Sequence, residues 1–174
     1  MPLHAMLLSD ALGAMSTDAI RSIDLIANKT EIVMSGSRFF GIETEDSDWD
    51  FVMLDFYDSK KFLENQGFER ITDSSYRDLL VRDVYRHTYA DPFTCIDIQV
   101  ISPFRFLYKI FAQYNIRANM TEIYPLWEYL GKEDRHILWN YTIDTLLSSS
   151  QNKRYFDQNN ILECLKAIRC NFKS

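Results

Sequence analysis

Two closely spaced aspartates are the residues of this sequence best suited to chemistry. Asp48 and Asp50 stand at i and i+2, at the start of the apolar run 49–54, which is typical of a strand. Because side chains alternate along a strand, both carboxylates would point to the same face. Two carboxylates on one face repel each other unless a cation lies between them. The pattern therefore indicates a cation site.

A Gly-Ser pair lies upstream of these carboxylates. Gly36 and Ser37 follow the short β-prone run 31–34, at a point where a strand would turn into the start of a helix. The backbone N–H groups of such a turn suit a phosphate. The ordinary alternatives are a simple turn for Gly-Ser and a solvated loop for the acidic stretch 43–50.

A calcium-binding EF-hand loop is a sharper alternative for the acidic stretch. Asp46, Asp48 and Asp50 would occupy positions 1, 3 and 5 of that loop. However, position 6 would be Phe51 where the loop requires glycine, and position 12 would be Tyr57 where it requires glutamate. The sequence therefore argues against an EF-hand.

The combination of these motifs resembles the nucleotidyltransferase superfamily of DNA polymerase β, and it is most similar to the small minimal nucleotidyltransferases. The family pattern is Gly-Ser, about ten residues, Asp-x-Asp, and a third carboxylate on a neighbouring strand. Here residues 38–47 separate Ser37 from Asp48, and Asp97 in the β-prone run 93–101 best matches the third carboxylate. The resemblance covers residues 31–101.

The resemblance implies a mechanism with two Mg²⁺ ions. Asp48 and Asp50 would bind the ions, and Asp97 would ligate the ion that activates an acceptor hydroxyl. Carboxylate oxygens suit the hard Mg²⁺ ion, whereas no His or Cys cluster suggests zinc. The expected reaction is the transfer of a nucleoside monophosphate from an NTP to a hydroxyl of an RNA end, a protein or a small molecule.

The same resemblance implies a nucleotide site. Gly36 and Ser37 would hold the outgoing phosphates. Arg38 could contact a phosphate or pair with the acidic loop. Lys109, one helical turn after Arg105, could bind the triphosphate, although a solvated helix face is the simpler interpretation of that pair.

A second hypothesis belongs to a different class of function. A degenerate nucleotidyltransferase-fold protein could act by binding or inhibition, as in a toxin-antitoxin or phage-host contest. The complete carboxylate set favours the enzyme, but the small helical half leaves little surface for a large substrate.

Composition narrows the class of protein further. The 174 residues are 47% hydrophobic and 25% charged, which is ordinary for a globular chain. Residues 1–102 hold 18 acidic against 9 basic side chains, whereas residues 103–174 hold 7 against 10. The net charge of -6 argues against binding to the phosphate backbone of extended double-stranded DNA. The three cysteines lack CxxC spacing, and we expect reduced, mostly buried thiols of a cytoplasmic protein. No apolar run approaches the length that a membrane span requires.

Patterning predicts an α+β fold, with a mixed sheet and flanking helices in residues 1–102 and a helical part in 103–174, packed as one compact unit. A hairpin of strands 82–89 and 93–101, with its turn at 90–92, would bring Asp97 beside the Asp48 strand. Strand alternation puts Asp97 on the face opposite the apolar row of Ile96, Ile98 and Val100. Ser16 and Thr17 are expected to cap a helix. Predicted helices are 3–15 (weak), 18–28, 58–66, 103–114, 121–130, 133–148 and 159–171, and the predicted short strand is 68–71.

Overall fold

The structure is a computed structural model. The structure describes residues 15–41, 43–72, 80–118, 131 and 133–137. The helices are α1 (Thr17–Ala27), α2 (Gly36–Phe40), α3 (Ser59–Asn65) and α4 (Pro103–Ala118). The strands are β1 (Ile32–Ser35), β2 (Trp49–Leu54), β3 (Glu69–Ile71), β4 (Asp83–Ala90) and β5 (Phe93–Ile101).

The strands form one mixed sheet in the order β1-β2-β5-β4-β3. β2 and β5 run parallel, and the other three neighbouring pairs are antiparallel. The predicted α+β class, with a mixed sheet and flanking helices, is confirmed. The sheet places β2, which begins directly after Asp48, beside β5, which carries Asp97.

The predicted hairpin is also confirmed. β4 and β5 pair from Asp83 opposite Val100 to Ala90 opposite Phe93, so that only two residues form the turn between them. The turn contains a cis peptide bond before Pro92. Because a two-residue turn fixes the register, every cross-strand neighbour along the hairpin follows from it.

One face of the sheet carries the hydrophobic core. Phe51, Ile98 and Tyr85 lie on three adjacent strands in one cross-strand row and are almost fully buried. Ile23 of α1 and Leu63 of α3 belong to the same core cluster. Each such side chain contributes about 1.5–3 kcal/mol by leaving water, so the two helices are held on this face by apolar burial. The other face of β2 and β5 carries Asp50, Asp97 and Gln99 beside apolar residues, among them the buried Val52 and Ile101.

Two hydrogen bonds fix α1 to the hairpin. The Tyr89 hydroxyl donates to Ser22 Oγ at 2.8 Å, and the Ser16 backbone N–H donates to Thr94 Oγ1 at 3.2 Å. Ser16 takes the predicted capping position, but its side chain makes no capping hydrogen bond, so that part of the expectation is wrong. The backbone contact with Thr94 instead ties the start of the helix to β5.

The chain contacts divide the protein into two compact units. The first comprises residues 1–73 and 82–102, and its described elements are the five strands with α1, α2 and α3. The second comprises residues 74–81 and 103–174 and contains α4. α4 begins at Pro103 as predicted and continues four residues beyond the predicted end at 114.

Several expectations fall largely outside the described residues. These are the helices predicted at 3–15, 121–130 and 159–171 and most of the helix at 133–148, of which residues 133–137 are helical. In the part of the chain that the structure describes, no helix combines the length and the apolarity needed to cross a bilayer.

Candidate functional site

A row of polar residues crosses the whole sheet on the face opposite the core. Each strand contributes one residue, and each is the cross-strand partner of the next. Partners in a sheet point to the same face, so these five side chains share one surface. In sheet order they are Ser35, Asp50, Asp97, Arg86 and Glu69.

The centre of this row joins two of the predicted carboxylates. Asp50 and Asp97 are direct partners on the parallel strands β2 and β5, which lie about 4.8 Å apart as hydrogen-bonded neighbours do. The strand register predicted for β5 is confirmed, because Ile96 and Ile98 lie in the core on the opposite side from Asp97. The structure therefore brings these carboxylates together on one face.

Arg86 is the residue of this site that sequence reasoning missed. Its Nε donates to Asp97 Oδ1 and its Nη2 donates to Asp97 Oδ2, both at 2.7 Å. The same Nη2 lies 3.5 Å from Asp48 Oδ2. Asp97 is completely buried, whereas the side chains of Arg86 and Asp48 are 40% and 41% exposed. A forked, charge-assisted pair of this kind satisfies a buried carboxylate.

The sequence did carry a signal for Arg86. Once the turn at 91–92 is taken as a two-residue loop, Ala90 faces Phe93, and counting back along both strands puts Arg86 opposite Asp97. The sequence predicts the hairpin with a turn that includes Ala90. A turn of that length does not fix which residue of β4 faces Asp97.

Asp48 has a second neighbour in Cys95 of β5. Burial, followed by the negative charges of Asp48 and Asp97, raises the pKa of the Cys95 thiol to about 11. This cysteine is only half-buried, so the expectation of a buried thiol is met in part. Its thiol stays protonated at neutral pH and is a poor nucleophile and a poor metal ligand there.

Gly36 is required at the junction of β1 and α2 for two reasons. Its φ angle is +66°, in the left-handed region that favours glycine. A Cβ atom at this position would also collide with Oδ2 of Asp50. The Asp50 carboxylate thus packs directly against the backbone of Gly36, and Ser37 follows half-buried in the first turn of α2.

Arg38 holds the loop that leads to the aspartates. Its Nη2 donates to the Ser47 carbonyl oxygen at 2.8 Å, and its guanidinium carbon lies 4.0 Å from the ring centre of Trp49. The stacked cation and the hydrogen bond fix the residues on both sides of Asp48. The pairing of Arg38 with the acidic loop is therefore observed, and its partner there is a backbone carbonyl oxygen.

Lys109 and Arg105 belong to α4 in the second unit. Arg105 is exposed, as expected for a solvated helix face. Lys109 is only 5% exposed, so the solvated interpretation is wrong for this residue. A buried lysine must be paired or hydrogen-bonded, and periodicity alone could not reveal that environment.

The three carboxylates differ in how well they suit a Mg²⁺ ion. Asp48 and Asp50 supply hard oxygen ligands on one face, and Asp48 is accessible to solvent. Asp97 is different, because both of its oxygens accept hydrogen bonds from the Arg86 cation. Within the described ranges, no group of three His, Cys, Asp or Glu side chains is arranged to hold a metal ion.

Comparison with known proteins adds no relative to this picture. No protein-family model, no curated protein and no solved structure matches the chain.

Proposed function

We propose that this protein is a Mg²⁺-dependent nucleotidyltransferase of the DNA polymerase β fold type. It would transfer a nucleoside monophosphate from an NTP to a hydroxyl group of an RNA end, a protein or a small molecule. The observation that carries the proposal is the direct pairing of Asp50 with Asp97 on parallel strands, with Gly36 packed against Asp50. The mixed sheet and the Gly-Ser and Asp-x-Asp spacing support it.

Each residue has a defined task in this proposal. Asp48 and Asp50 would hold Mg²⁺, and the backbone at Gly36 and Ser37 would hold the phosphates of the NTP. Arg38 would keep the loop before Asp48 in place through the Ser47 carbonyl. When bound, the metal would supply positive charge that neutralises the triphosphate.

The transfer itself is a displacement at phosphorus. The acceptor hydroxyl oxygen forms a bond to the α-phosphorus, the bond to the leaving pyrophosphate breaks, and the hydroxyl proton is lost to a base or to solvent. Such a reaction depends on positioning and charge neutralisation more than on a reactive side chain. The polar row on one sheet face suits that requirement.

Binding can be tested by thermal shift. Mg²⁺ with ATP or GTP at ten times the dissociation constant should stabilise the protein by about 1.4 kcal/mol, or about 3–6 °C, and neither component alone should do so. Asp48→Asn/Asp50→Asn should abolish this shift. Asp46→Asn is the matched control, because Asp46 lies two residues before Asp48 and is exposed. Equal shifts in all three proteins would refute the metal site.

Turnover can be tested with each labelled NTP, Mg²⁺ and cell extract, which identify the donor and the acceptor class together. Asp97→Asn should reduce label transfer by orders of magnitude and leave NTP binding largely intact. Asp91→Asn is the control, because Asp91 is exposed in the hairpin turn. Full activity of Asp97→Asn would contradict the role of the third carboxylate.

One observation favours a second candidate function. The Arg86 guanidinium already satisfies Asp97, so the fold can bury this carboxylate without any metal. A degenerate nucleotidyltransferase-fold protein that works by binding or inhibition, of the toxin-antitoxin or phage-host type, would have the same feature. Nucleotide binding with no label transfer to any acceptor would favour this candidate.

A further inference from the structure

The charge around Asp97 differs from what a two-ion site requires. In such a site the third carboxylate offers an oxygen to a divalent ion. Here the two oxygens of Asp97 each accept a hydrogen bond of 2.7 Å from one guanidinium. A divalent ion at the same oxygens would lie against a permanent positive charge, and the two cations would repel each other.

The Arg86 side chain is also placed to do more than neutralise a buried charge. It is 40% exposed, and its Nη2 reaches from the buried Asp97 towards the half-exposed Asp48. The guanidinium therefore lies at the solvent-accessible end of the carboxylate cluster. Its planar fork of donors is well suited to phosphate oxygens, and its charge persists at any physiological pH.

We propose that Arg86 is a fixed cation that takes the place of the second metal ion, so that the site binds a single divalent ion between Asp48 and Asp50. Asp97 is then a positioning residue, which holds the guanidinium beside the metal site. This inference rests on the proposed function, which supplies the NTP and the first ion. It predicts a metal stoichiometry that a two-ion enzyme would not have.

The test is a count of bound Mn²⁺ ions per chain, from the electron paramagnetic resonance signal of free Mn²⁺. The titration is made on the full chain, alone and with saturating α,β-methylene ATP or α,β-methylene GTP, and is corrected for the nucleotide itself. We expect one ion in the wild type and none in Asp48→Asn/Asp50→Asn. We expect two ions in Arg86→Met, in which the repelling charge is absent and no guanidinium occupies the oxygens of Asp97.

Two further variants test the same number of bound Mn²⁺ ions. Arg82→Met is the matched control. Arg82 is also ion-paired and lies directly before β4, but its partners are Asp55 and Asp83, which are not the carboxylates of the proposed metal site. It should keep one ion. Asp97→Asn should also keep one ion, whereas the same change would remove a ligand from a two-ion site. The wild type and Asp97→Asn decide the question even if Arg86→Met fails to fold.

Each outcome separates the two proposals. Two ions in the wild type, or a single ion in Arg86→Met, would overturn the inference and leave the proposed function standing. No ion in the wild type together with one in Arg86→Met would refute the proposed function and support Arg86 as the group that excludes metal from Asp97. No ion in either protein would overturn both proposals.

Discussion

The pairing of Arg86 with Asp97 predicts a large and specific energetic coupling. Replacing Arg86 by methionine keeps much of the side-chain volume but leaves the carboxylate of Asp97, which is 0% exposed, without its forked partner. Breaking a fully buried pair costs about 3–5 kcal/mol. Because the Arg86 side chain is 40% exposed, water already screens part of the interaction. We therefore expect Arg86→Met to lower the free energy of unfolding by about 2–4 kcal/mol.

The double variant isolates the pair itself. Asp97→Asn keeps an acceptor oxygen and leaves a partly solvated guanidinium, so it should cost about 1–2 kcal/mol. Arg86→Met/Asp97→Asn removes both charges and should be more stable than the sum of the two single changes predicts. We expect a coupling energy of about 2 kcal/mol from the cycle of four proteins.

Urea denaturation followed by circular dichroism measures all four proteins. Arg86→Met should lower the urea midpoint by about 1–2 M without a change in the slope. The cycle on Arg82 and Asp55 is the control, because that pair has a similar distance of 2.8 Å but exposed fractions of 56% and 18%. It should give about 0.5–1 kcal/mol. A coupling at Arg86 and Asp97 no larger than this control would refute the reasoning.

Two further predictions concern the neighbours of the carboxylates. Gly36→Ala should abolish the thermal shift with Mg²⁺ and NTP, because the added Cβ would displace the Asp50 carboxylate. Gly41→Ala is the control and should keep the shift, because Gly41 has a similar φ of +70° but open space around it. Loss of the shift in both variants would trace the effect to backbone strain. Burial and the charge of Asp48 raise the pKa of Cys95 to about 11, so its alkylation, followed by peptide mass spectrometry, should accelerate up to about pH 11. Between pH 9.0 and about 11, the Cys95 thiol keeps its proton in the folded protein and loses it in the unfolded protein, where its pKa is 9.0. The contribution of Cys95 to the free energy of unfolding should therefore fall as the pH rises through this range. Asp48→Asn should speed the alkylation at pH 8, and a rate that levels off near pH 9 in the wild type would contradict the raised pKa.

Local patterns in the sequence determined most of the elements. Alternation in 49–54 and 93–101 was enough to predict β2 and β5 and to place Asp97 opposite the apolar row. Pro103 marked the start of α4, because proline suits the first position of a helix. These features depend on residues that are close to each other in the chain, and the spacing of residues in the sequence encodes such local structure directly.

Only the tertiary structure decided which charged side chains pair with one another. Whether Arg86 faces Asp97 depends on the hairpin register, and a shift of one residue would turn its side chain to the other face of the sheet. The contact between Gly36 and Asp50 likewise depends on segments that meet in space, and helical periodicity did not predict that Lys109 is buried. The sequence alone thus determined which carboxylates are available and on which strands they lie. The packing of those strands decided that one of them is held by an arginine, because the register of non-adjacent segments is a property of the whole sheet.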